Sequence, residues 1–163
     1  MRKCLYPLLL TTVLIMAPSY AGDTAKLKWM SFDEGMVEGR KTGRKVMIDV
    51  YTDWCGWCKK MDKDTYADGT VTDYLNKNYV AIKLNAESAS KLRYQGQSYT
   101  EQELASAFGV SGYPSIIFLR HDGEPITVYP GYADASKFRV ILSYIAEDHY
   151  KTTKFEDYMR TKP

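Results

Sequence analysis

Two kinds of hydrophobic pattern divide the chain. Lys45 to Tyr51 (KVMIDVY) and Tyr79 to Leu84 (YVAIKL) are predominantly apolar, β-branched runs of strand length, suited to central strands buried on both faces of a sheet. Ser115 to Arg120 (SIIFLR) and Ile126 to Tyr129 are two further strands. They are joined through His121-Asp122-Gly123-Glu124, where Asp-Gly is a strong hairpin signal. The second pattern is helical. Ser31-Phe32-Asp33-Glu34 reads as a capping box opening a helix that runs to about Lys41 and stops at Gly43. Thr100-Glu101-Gln102-Glu103 is another, starting a helix that ends near Phe108-Gly109. Cys55 begins a helical stretch through about Tyr66, and Val71 to Lys77 forms a short helix. From Ala135 to His149, the residues Phe138, Ile141, Leu142 and Ile145 recur at the helical period of a face packed on a sheet.

Two segments carry neither pattern. Ala86 to Ser98 is polar and irregular, and is expected as an inserted, solvated loop; the chain beyond Tyr150 is a polar, amphipathic tail. No repeat and no interdomain linker interrupts the order of elements. Strand–helix–strand, then helix, hairpin and helix, predicts an α/β domain: a central mixed β-sheet flanked by helices on both faces. It should occupy residues 22–150, leaving 151–163 as the tail.

The start of the chain follows a third pattern. Met1-Arg2-Lys3 is a short positive region, Leu5 to Ala17 is an apolar run of 13 residues, and Ser19-Tyr20-Ala21 supplies small residues at two positions. This is the anatomy of a secretory signal peptide cut after Ala21, and the run is shorter than the ~20 residues that span hydrocarbon. A periplasmic location is therefore expected, and Cys4 leaves with the signal.

Charge changes the picture little. The 22 basic and 20 acidic residues differ by two, and Arg2 and Lys3 account for the difference. A balanced remainder lacks the basic footprint of a nucleic-acid binder. No apolar heptad or other assembly signal appears, so a monomer is expected.

What remains is chemistry at two cysteines, Cys55 and Cys58, in Trp54-Cys55-Gly56-Trp57-Cys58-Lys59-Lys60-Met61. An exported chain sits where disulfides persist. Closing so short a loop removes little entropy from the unfolded chain, so the pair makes a poor structural staple. A thiol attacks a disulfide only as thiolate, and the N–H groups and dipole at a helix N-terminus favour that form. Cys55 falls at such a point, after the loop Thr52-Asp53-Trp54, and Cys58 lies about one helical turn on. Cys55 is expected as the exposed attacker and Cys58 as the buried resolver, with Trp57 adding an aromatic surface beside the sulfurs. Haem attachment would need His where Lys59 stands. A zinc site would need further ligands, and only His121 and His149 remain. An inert surface disulfide is the other alternative. Dithiol–disulfide exchange needs no metal and no cofactor.

Two further positions stand out. Asp49 lies inside an apolar strand, either at a sheet edge reaching water or as a buried carboxyl whose raised pKa lets it take a proton from Cys58. Lys83, in the neighbouring strand, could be its partner or merely a strand-end charge. Pro114 precedes a strand, where proline is ordinarily found because it cannot donate to a ladder.

Taken together, WCGWCKKM after VMIDVYTD, then AIKLN, then FGVSGYPSIIFLRHDGE, and Gly131 before the last helix resemble the thioredoxin-fold family. The likeness spans about Lys45 to Ile145, and is strongest to exported bacterial thioredoxin-like proteins, which include the reducing C-terminal domain of DsbD. The resemblance implies a thioredoxin fold with Cys55 as nucleophile and Cys58 as resolving cysteine. It implies that Asp49 is the buried acid assisting proton transfer, and Lys83 its partner. Pro114 matches the family's cis-proline facing the sulfurs, and the backbone of Tyr113 the site that pairs with an extended substrate segment. Trp54 matches the tryptophan before the first cysteine. Two departures stand against it: Gly56-Trp57 replaces Gly-Pro between the cysteines, and residues 86–98 lengthen the connection after the Lys83 strand.

The expected function is an exported protein-disulfide reductase, acting on protein thiol and disulfide substrates and recharged by a membrane or envelope dithiol donor. An oxidase or isomerase of secreted proteins uses the same residues. A thioredoxin-fold binding module with an idle disulfide is the rival from another class.

Overall fold

The computed structural model describes residues 26–162; the expected signal segment, residues 1–21, lies outside them. A short strand β1 (Trp29–Met30) leads into helix α1 (Phe32–Thr42), where the Ser31 N–H donates to Glu34 Oε2 at 3.3 Å. Gly43, at φ +71°, ends that helix in the left-handed conformation glycine tolerates best. The apolar run Lys45–Tyr51 is β2, followed by α2 (Gly56–Asp64), α3 (Gly69–Asn78) and β3 (Tyr79–Asn85). The second capping box opens α4 (Glu101–Ala107), with Thr100 and Glu103 exchanging hydrogen bonds of 2.7 and 3.1 Å. The hairpin strands are β6 (Ser115–Leu119) and β7 (Pro125–Pro130), before the long helix α5 (Ala135–Ala146).

Five strands form one mixed sheet in the order β1-β3-β2-β6-β7. β1, β3 and β2 run parallel, and β6 and β7 add antiparallel. The two β-branched runs thus take inner positions, with β2 in the middle. Alternation along β2 divides the core. Val46, Ile48 and Val50 pack with α1 and α4 on one face, whereas Met47 packs with Met61, Tyr66, Phe138 and Leu142 on the other. Helices cover both faces. Gly35 lets α1 approach the sheet closely, since a Cβ there would stand 2.4 Å from Ile82 Cγ1.

Residues 86–98 are not a solvated loop. They contain β4 (Lys91–Tyr94), paired antiparallel with β5 (Gln97–Thr100), and Leu92 is buried against the α1–α4 side of the core. Gln95 and Gly96 both have positive φ, +48° and +81°, which is the geometry of a two-residue hairpin turn. That turn ordinarily carries Asn or Asp before Gly. Gln in its place hides the signal, and four-residue strands are too short to show a period.

The polar tail docks. After a 3₁₀ turn (His149–Lys151), α6 (Phe155–Arg160) brings Phe155 and Tyr158 against Tyr144, at ring separations of 5.2 Å each. The Tyr158 hydroxyl pairs with Ser143 Oγ at 3.0 Å.

Candidate active site

β2 ends in the middle of the sheet, and three residues later the chain turns into α2. Cys55 N–H donates to Thr52 O at 3.2 Å, and Cys55 itself is the N-cap, accepting the Cys58 N–H on Sγ at 3.1 Å. A sulfur in that position receives a hydrogen bond and the positive end of the helix dipole, both of which favour a thiolate. The two cysteines are joined in a disulfide, with an S–S distance of 2.09 Å. The expected contrast in exposure between them is absent. Cys55 is 4% exposed and Cys58 3%, because each sulfur covers the other and the turn packs around the N-cap. What lies open to solvent here are the rings of Trp54 and Trp57, 67% and 58% exposed.

Asp49 is on the central strand and 1% exposed, which removes the sheet-edge reading. Alternation places it on the Met47 face, the one covered by α2. It faces Lys83 across the β2–β3 ladder, and Lys83 Nζ lies 2.5 Å from Asp49 Oδ2. The same ammonium also pairs with Asp62 Oδ1 of α2. Asp62 follows Cys58 by four residues, so both lie on one side of the helix. Lys83 is not a strand-end charge: it stands within β3, with the rings of Trp29, Tyr51 and Tyr66 at 4.6, 5.1 and 5.3 Å. Burial pushes the Asp49 carboxyl above its ordinary range, and the Lys83 charge offsets this only in part. Burial also works against the Lys83 charge, yet Asp49 and Asp62 together hold that ammonium above its usual value.

The Tyr113–Pro114 bond is cis. Pro114 O accepts the Gly131 N–H at 2.8 Å, which ties this loop to the one that follows β7. Two aromatic pairs then join the cysteine segment to these loops. Trp54 meets Tyr113 edge to face at 5.9 Å, and Trp57 meets Tyr132 at 5.3 Å. The Trp54 indole N–H also donates to Glu87 Oε1 at 2.8 Å.

The structure therefore gathers Cys55, Cys58, Trp54, Trp57, Tyr113 and Pro114 at one end of the sheet, with Asp49 and Lys83 behind α2. Asp62, Glu87 and Tyr132 join this cluster without having been singled out from the sequence. Asp62 carried a usable signal, its spacing of four from Cys58. Glu87 had none, because its reach to Trp54 follows from the β2–β3 register, in which Tyr51 stands opposite Asn85.

The comparisons agree with this architecture. A thioredoxin-like domain family matches residues 32–146. The chain is 30% identical over 110 residues to the thiol:disulfide interchange protein DsbD of Pseudoalteromonas atlantica. That match takes in 66% of this chain but 17% of the relative, so the chain spans under a fifth of the longer protein. A thioredoxin-fold protein from Helicobacter pylori superposes with a TM-score of 0.66 at 19% identity, covering 87% of this chain and 94% of that one. A thioredoxin from Thermus thermophilus superposes with a TM-score of 0.61 at 22% identity, covering 74% and 88%. These two likenesses are of fold.

Proposed function

The chain belongs to the thioredoxin-like domain family, and from that premise we propose that it is an exported thiol–disulfide oxidoreductase that reduces protein disulfides. One observation carries the reading: Cys55, disulfide-bonded to Cys58, caps α2, while a buried acid lies on the sheet face that this helix covers. The Cys55 thiolate attacks a substrate disulfide, releasing one substrate thiolate and forming a mixed disulfide. Asp49 takes the proton from the Cys58 thiol, and the Cys58 thiolate attacks Cys55 Sγ. The second substrate sulfur leaves reduced, and the Cys55–Cys58 disulfide remains. Trp54, Trp57, Tyr113 and Pro114 receive the substrate segment.

A dithiol donor of the membrane or envelope then restores the thiols. The DsbD likeness supports such a donor, and the positive and apolar runs before Ala21 support export. Cys55→Ser should abolish insulin reduction, and Cys58→Ser should accumulate covalent substrate complexes. Undiminished activity in Cys55→Ser overturns the mechanism. Direction is read by redox titration of the Cys55–Cys58 couple in dithiol buffers. A potential below about −220 mV agrees with a reductant, whereas one above about −150 mV makes the protein an oxidant.

A further inference from the structure

Two carboxylates claim one ammonium. Lys83 Nζ stands 2.5 Å from Asp49 Oδ2 and also donates to Asp62 Oδ1. The three groups come from β2, β3 and α2, so only the folded chain assembles them. Their surroundings differ. The Asp49 side chain is buried, whereas that of Asp62 is 48% exposed. Water therefore solvates Asp62. Asp49 depends on Lys83, and among the described residues its Oδ1 has no hydrogen-bond partner. The rings of Trp29, Tyr51 and Tyr66 stand around the ammonium and hold it between the two acids. Asp62 and Lys83 line a cleft of about 610 Å³, to which none of Trp54, Trp57, Tyr113 and Pro114 contributes. The shared ion pair thus opens to solvent away from the surface assigned to substrate.

We propose that Asp62 is a positioning residue for the resolving step: by holding Lys83 in common with Asp49, it leaves the buried acid ready to take the Cys58 proton. An ammonium shared by two carboxylates neutralises neither in full. Without the Asp62 charge, Lys83 serves Asp49 alone and a neighbouring negative charge disappears. Both changes weaken the hold of Asp49 on a proton. In the resolving step the Cys58 S–H proton passes to Asp49, arriving at Oδ1 because Lys83 occupies Oδ2. The Cys58–Cys55 bond forms as the bond between Cys55 and substrate breaks, and the substrate sulfur leaves with the electron pair. The other groups facing the pair do not replace Asp62. Burial keeps the phenols of Tyr51 and Tyr66 protonated, above their ordinary range. On β6, the residue opposite Asp49 is the uncharged Ile116. Lys26 lines the same cleft, but it is exposed and cationic.

This inference rests on Asp49 acting as the base, and one experiment separates the two claims. Reduced protein mixed with 5,5′-dithiobis(2-nitrobenzoate) releases thionitrobenzoate twice, first when Cys55 attacks and again when Cys58 resolves. Stopped-flow traces across pH give a midpoint for the second release. Asp62→Asn should lower that midpoint by about one pH unit, the size of shift that one nearby charge produces. The high-pH plateau should fall by about threefold, because a less basic group pulls the proton less strongly. Asp62→Glu keeps the charge and should keep the parent's midpoint. In an Asp49→Asn background, Asp62→Asn should move nothing. An equal shift in that background overturns this inference alone, since Asp62 would then act directly on Cys58 from its place four residues along α2. An unmoved or raised midpoint in Asp62→Asn, with a clear effect of Asp49→Asn, also overturns it alone, as does an equal fall in Asp62→Glu. No effect of Asp49→Asn overturns the reading of Asp49 and this inference with it.

Discussion

Asp49 and Lys83 occupy the same rung of the parallel β2–β3 ladder, and the ammonium reaches Asp49 Oδ2 at 2.5 Å. The pair leaves the acid strained, because burial raises its proton affinity more than Lys83 lowers it. An acid with a raised folded-state pKa opposes folding once pH exceeds its ordinary value of about 3.9, and the penalty levels off above the folded value. Asp49→Asn removes that penalty, and Asp62 still pairs with Lys83. The variant should melt above the parent at pH 8, with the gain shrinking to nothing by about pH 4. Thermal melts across this range check it; a gain independent of pH would show that the carboxyl is not strained.

Trp54 is exposed yet fixed, by Tyr113 on one side and Glu87 at its indole nitrogen. An exposed ring held in place is a contact surface made in advance. Trp54→Ala should raise KM for insulin by about tenfold, the size of a moderate interface contact. Reduction of a small disulfide such as hydroxyethyl disulfide should keep its rate. A parallel loss on both substrates would instead place Trp54 in the chemistry.

The β4–β5 hairpin is part of the core through Leu92, which is 4% exposed. Leu92→Ala should cost about 2–5 kcal/mol in urea unfolding, as deletion of a buried leucine does. A change near zero would return residues 86–98 to the status of a solvated excursion.

α1 lies close to the sheet at Gly35. A methyl group there would meet Ile82 Cγ1 at 2.4 Å and Cδ1 at 2.5 Å. Gly35→Ala gains helix propensity, but overpacking of this kind costs about 1–3 kcal/mol. A lowered denaturation midpoint with an unchanged slope is the expected record; a raised midpoint would mean that Ile82 yields freely.

Legibility in the sequence varied with how local the cause was. The capping boxes at Ser31 and Thr100, the strand run at Lys45–Tyr51 and the Asp122-Gly123 turn are decided within a few residues, and each element forms where those residues predict it. The hairpin at Lys91–Thr100 failed to show because Gln95-Gly96 is a poor advertisement for its turn, and because Leu92 becomes apolar anchor only against α1 and α4. The docked tail was unreadable for a similar reason. Phe155 and Tyr158 are two aromatic residues in a polar stretch until Tyr144 stands opposite them.

By itself the sequence determined the fold class and the location of the reactive pair, since strand runs, caps and a CxxC are short-range features written in consecutive residues. It also proposed Asp49 and Lys83 as partners, but left both a sheet-edge and a buried reading open. Only the tertiary structure decided between them. Solvation depends on which strand is central, and a charge is strained or comfortable according to what packs on it from elsewhere in the chain. The same holds for Asp62, Glu87 and Tyr66. Each is an ordinary residue in its own segment, and acquires a place beside the site because β2, β3 and α2 bring distant positions within hydrogen-bonding or packing distance.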